Sequence, residues 1–153
     1  MDVLSIIKKD HDQICCLLDS LSSGMSLEDF HSILPPLSAA LSDLMRFEAE
    51  YLFPEVQDLF VGSEQFIGNA LKNQKKILDD LEQLRSVMRS KDGGSGIKTA
   101  ILDMVRLVRA HIDDQRDLLI PRIRKLIPTQ EREDLGEVFI ESKQEIRATA
   151  AIL

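Results

Sequence analysis

A chain of 153 residues, 44% hydrophobic and 29% charged, has the size and make-up of one globular domain, and its formal net charge of -7 argues against a nucleic-acid surface, which needs clustered basic residues. The same charge disfavours an anionic membrane; no apolar run approaches a membrane span, and "MDVLSIIKKDHDQ" mixes acids and bases where a signal peptide would be apolar, so we expect a cytoplasmic protein. Seven glycines, five prolines, no tryptophan and an excess of Leu, Ile, Glu, Asp, Lys and Arg favour helices over sheet, which makes the expected fold class all-α.

The first helix is predicted from Asp2, a good N-cap, to Leu21, with the heptad seam Leu4, Ile7, His11, Ile14, Leu18 and Leu21. Cys15 and Cys16 are adjacent, so they point about 100° apart on a helix and build no disulfide framework. Cys15 falls near the face of His11, and a small buried apolar role is favoured over a ligand or redox thiol. "SSGMS" ends the helix, and Ser26 with Asp29 offers a capping box for the next segment.

Pro35 and Pro36 are expected to break or kink that segment, because proline lacks an N–H donor and disfavours the α conformation before it. A second seam then reads Leu37, Leu41, Leu44, Glu48 and Tyr51, ending near Phe60 with Gly62 as stop and Ser63 as the next cap; Pro54 predicts a kink inside it. The third helix has Ile67, Ala70, Gln74, Ile77, Leu81, Leu84 and Met88 on its seam and closes at "KDGGSG". The fourth has Ile97, Ile101, Met104, Val108, His111, Gln115 and Leu118, with Pro121 corresponding to Pro54. Short connections between long amphipathic helices predict an antiparallel up-down-up-down four-helix bundle over residues 1–127. Residues 128–153 add a C-terminal helix with a thinner stripe of Leu135, Phe139 and Ile146, either packed on the bundle or placed at a dimer interface.

An internal repeat ties the halves together. His11, Ile14, Leu18 and Leu21 superimpose on Gln74, Ile77, Leu81 and Leu84 at an offset of 63, and Leu44, Glu48, Leu52 and Pro54 superimpose on His111, Gln115, Leu119 and Pro121 at an offset of 67. His11, Glu48, Gln74, His111 and Gln115 are therefore polar groups expected inside the bundle at a similar height. An unpaired buried polar group costs about 1–3 kcal/mol, so the five need each other, water or a metal. A His and an acid at i and i+4 share one helix face and can reach one ion. His31 lies outside the seams as a surface residue, Arg46 and Lys75 flank them, and "DDQRD" reads as a solvated acidic face. No nucleophile elbow and no phosphate loop in the required context are present.

"IIKKDHDQICCLLDSL", "MRFEAEYLFPEV", "NQKKILDDLEQL" and "HIDDQRDLLIP" resemble, in order, the four helix signatures of the hemerythrin-like, His-His-Glu cation-binding family. The resemblance runs from about Ile6 to Leu126 and implies six ligand positions. His11, Glu48 and His111 match them; Leu44 and Gln74 stand where histidines are implied, and Gln115 where a carboxylate is implied. Each of two ions would lose a histidine and the pair would lose a bridging charge, so a conventional di-iron centre is not expected.

Two readings follow from that pattern. In one, the site is degenerate, no metal is held, and the bundle has a non-catalytic binding or regulatory role, with a protein partner or a homodimer. In the other, His11, Glu48 and His111 hold a single Fe or Zn ion with an open position, suited to oxygen or nitric oxide sensing. Whether the chain is an enzyme stays open at this point, with the balance against it.

Overall fold

Asp2 starts the molecule as a cap, its Oδ1 accepting the Leu4 N–H at 2.9 Å ahead of α1 (Val3–Ser22). The computed structural model describes residues 1–22, 26–89 and 96–152, without the side chains of Leu27 and residues 145–152. Most of the "SSGMS" turn, residues 91–95 of "KDGGSG" and the Ile146 side chain thus lie outside the described residues. The helices that follow are α2 (Leu27–Phe47), a π-helical turn π1 (Glu48–Leu52), α3 (Phe53–Val56), α4 (Ser63–Arg89), α5 (Ile97–Asp114), a second π-turn π2 (Gln115–Leu119), α6 (Ile120–Leu126) and α7 (Thr129–Ile152).

The expected capping box forms: Ser26 Oγ accepts from the Asp29 N–H, and Asp29 accepts in return from the Ser26 N–H. From there α2 runs unbroken through Pro35 and Pro36, contrary to the expected break. Both rings are exposed on the outer face. The carbonyls they leave without amide donors can take water there, while Leu34, Leu37 and Leu41 on the opposite face anchor the helix in the core. At the far end, Ser63 is the first residue of α4 rather than its side-chain cap; its hydroxyl instead accepts the Asp58 N–H at 3.1 Å, in a turn where Gly62 has φ 90°.

Pro54 and Pro121 act through the π-turns that precede them. The Phe53 N–H bonds to the Glu48 carbonyl and the Ile120 N–H to the Gln115 carbonyl, so each turn closes over one extra residue just before a proline that has no N–H to give. The inward register moves with it. Leu52 and Leu119 are buried, whereas Tyr51 is half-buried and Leu118, expected on the seam, is 47% exposed.

Packing joins α1 to α2, α2 to α4, α4 to α5 and α5 to α1, which closes a ring of four around a core of Ile7, Ile14, Leu18, Leu37, Leu41, Ile77, Leu81, Leu84 and Val108. Among the described residues there is no β-strand. The fifth long helix, α7, lies across α1 and α2. Phe139 is fully buried and stacks on Phe47 with ring centroids 4.0 Å apart at 14°, while Arg132 and Lys143 pair with Asp2 at 2.9 Å and Asp10 at 2.7 Å. Gly136 makes the approach close: a Cβ there would sit 2.0 Å from the Met1 carbonyl oxygen.

Candidate metal centre

The seam pattern places its five polar residues inside the ring. His11 from α1, Glu48 from π1, Gln74 from α4, His111 from α5 and Gln115 from π2 are all between 0% and 6% exposed. Glu48 and Gln115 each open a π-turn, so the wider turn sets the direction in which each side chain leaves the helix. Leu44, one helical turn before Glu48, is fully buried and joins the apolar core.

Four of the five make one chain of contacts. Gln74 Nε2 donates to Glu48 Oε1 at 3.3 Å, His111 Nε2 lies 3.3 Å from the same oxygen, and Gln115 Nε2 lies 3.2 Å from His111 Nε2. A carboxylate oxygen only accepts, so His111 Nε2 must carry the proton and donate it to Glu48.

His11 stands apart from the chain. Its Nε2 and Glu48 Oε2 are the two buried side-chain atoms without a hydrogen-bond partner among the described residues. Burial holds the His11 imidazole down at about 4, against the Gln115 carboxamide, which favours the protonated ring; Arg116 and His111 add to the lowering and Asp12 opposes it. His11 is thus a neutral ring near pH 7, the form that accepts at one nitrogen.

The donor set bears directly on metal. Two unpartnered lone-pair atoms are what an ion would seek, but His111 Nε2 is committed to Glu48, and Gln74 presents an N–H where a ligand needs a lone pair. Among the described residues no three His, Cys, Asp or Glu side chains come together as a group that could hold an ion. Glu48, Gln74 and His111 thus direct to one another the groups that an ion would draw on. Of the other candidates, His31 is exposed, Cys15 is half-buried against the core, and Cys16 is exposed; both thiols are free.

Residues outside the seam also reach the site. A small cavity of about 30 Å³ beside His111 and Gln115 is lined further by Phe66, Asn69, Ala70, Asn73 and Asp114. It has room for about one water with several polar partners. The available signal was the spacing of Asn69 and Asn73, four apart on the helix that carries Gln74.

A bundle in which every one of four helices contributes a polar side chain to one buried layer has the arrangement that helix bundles use for sites built in their core. The family model described as Hemerythrin HHE cation binding domain matches residues 2–123, and the chain belongs to that family. The crystal structure of a Hemerythrin HHE cation binding domain-containing protein from Mycobacterium kansasii is similar over 99% of this chain and 91% of that one, with a TM-score of 0.79 and 21% identity, a likeness of fold. No curated protein matches the chain.

Proposed function

We propose that this hemerythrin-like domain has exchanged its di-iron centre for a hydrogen-bonded polar layer and serves as a non-catalytic binding or regulatory bundle. One observation carries the reading: Gln74, at a position where the family resemblance implies a histidine, donates an N–H to Glu48 Oε1. An amide donor neutralises the acceptor that a metal would otherwise use, and His111 occupies the same oxygen. Leu44 fills the second implied histidine position with apolar volume. In this reading the protein is cytoplasmic and acts through a protein partner or a second copy of itself; among the described residues no helix is long and apolar enough to cross a membrane.

A second reading is favoured by the unpartnered His11 Nε2 and Glu48 Oε2. His11, Glu48 and His111 would then shift to share one Fe or Zn ion, for which two histidines and a carboxylate are a sufficient donor set. The protein would supply orientation and a dry pocket, and the ion an open coordination position.

Elemental analysis of untagged protein, before and after anaerobic incubation with Fe(II) and desalting, separates the readings. The first expects no stoichiometric iron or zinc in the natural chain, and two ions in a Leu44→His, Gln74→His, Gln115→Glu variant. One ion per chain, lost in His111→Ala, establishes the second reading. Two ions in the natural chain sink both.

A further inference from the structure

A cleft of about 440 Å³ opens between α1 and the π2–α6 segment, within the roughly 300–1,000 Å³ range of small-molecule sites. Its wall carries Lys8, Arg116 and Arg124 against a single acid, Asp12, an excess of two positive charges on a chain whose net charge is -7. Internal pairing leaves these cations available. Lys8 meets Asp12 at 3.4 Å with both side chains more than half exposed, Arg116 meets Asp113 only at 3.9 Å, and Arg124 has no ion pair among the described residues. Pairs of that kind hold weakly in water.

With Lys8 set against Asp12, two guanidinium groups remain on the π2–α6 segment. Guanidinium is the side chain best matched to a planar, two-oxygen anion, because its N–H groups form a fixed fork. Leu4, Ile120 and Pro121 line the cleft as apolar surface, which an inorganic ion would leave uncovered and an organic body would bury. His11, itself 2% exposed with an unpartnered Nε2, also lines the cleft and connects it with the polar layer.

We propose that this cleft binds a small organic carboxylate, its head held by Arg116 and Arg124 and its apolar body laid against Leu4, Ile120 and Pro121. The inference deepens the reading of the domain as a binding bundle by naming the chemistry of what it binds. Its contacts involve none of Glu48, Gln74 or Gln115.

The test is a proton–nitrogen NMR titration of the full chain with benzoate, with benzyl alcohol and inorganic phosphate as comparison probes. Benzoate is expected to saturate and to shift amides in residues 4–12 and 116–124. Benzyl alcohol and phosphate should each bind at least about tenfold more weakly, and Arg116→Gln with Arg124→Gln should weaken benzoate about tenfold. Arg106→Gln, on an exposed part of α5, should leave binding unchanged. Should the double variant not fold, Arg124→Gln alone, in an exposed side chain, carries the same expectation with a smaller loss. No saturable shift at these amides, equal affinity for the alcohol or for phosphate, or an unaltered Kd in the arginine variants overturns the proposal. Iron measured on the same sample keeps the two ideas separate: two ions together with benzoate binding sink the binding-bundle reading alone, and no iron with no benzoate binding sinks the cleft alone.

Discussion

Gln74 and Glu48 meet across the bundle, amide nitrogen to carboxylate oxygen at 3.3 Å, with both side chains buried. The bond links α4 to the π-turn that ends α2, and His111 from α5 shares the acceptor, so three helices are fastened at one oxygen atom. Removing one partner of such a contact strands the others away from water, which costs more than the bond itself contributes.

Glu48→Leu is therefore expected to lower unfolding free energy by about 3 kcal/mol, since it leaves Gln74 Nε2 and His111 Nε2 without an acceptor. Gln74→Leu should cost about 1–2 kcal/mol, and the double variant less than the sum by about 1–2 kcal/mol. Urea melts of the four proteins measure the coupling. Costs that simply add would mean that the layer is a set of independent buried groups.

The pH dependence of stability should carry the signature of His11. Its ring is held down at about 4 by burial, with Arg116 and His111 contributing, whereas in the unfolded chain the ring titrates at its ordinary value of 6.5. As pH falls through that window the unfolded chain takes up the proton first, so stability present above 6.5 is lost progressively towards 4, by at most about 3 kcal/mol. Comparing chelator-treated natural protein with His11→Leu at pH 7 and pH 4.5 isolates this contribution from that of the carboxylates. A difference between the two proteins that does not change with pH would refute it.

Gly136→Ala should loosen α7 from the bundle. The added methyl would meet the Met1 carbonyl oxygen at 2.0 Å, the Val3 nitrogen at 3.1 Å and Ile6 Cδ1 at 3.2 Å, and two of these are backbone atoms that cannot rotate aside. A loss of about 1–3 kcal/mol is expected, together with faster proteolysis near the Ile127–Thr129 junction. The neighbouring stack of Phe139 on Phe47 would then be partly exposed. Unaltered melting and proteolysis would show that the first residues of the chain move out of the way at no cost.

Period and local chemistry fixed the parts of this protein that are legible in one dimension. Heptad seams placed Ile14, Leu18, Ile77, Leu81 and Val108 in the core, the Ser26–Asp29 box and Asp2 marked real helix starts, and the four signatures in order indicated the family. The polar seam also put His11, Glu48, Gln74, His111 and Gln115 inside the ring, because a side chain's face follows from its spacing.

How those groups are joined depends on the packing of whole helices. Proline argued for a break at Pro35 and Pro36, yet the helix continues because its inner face is anchored in the core while the unpaired carbonyls face water. Periodicity likewise assigned Leu118 inward, but the π-turn before Pro121 advances the register and buries Leu119 instead. Partners such as Gln74 with Glu48 and Lys143 with Asp10 are far apart in the chain, as are Leu4 and Arg124, which line one cleft, and hydrogen-bond geometry and cleft shape depend on how whole helices are set against one another, which no local spacing encodes.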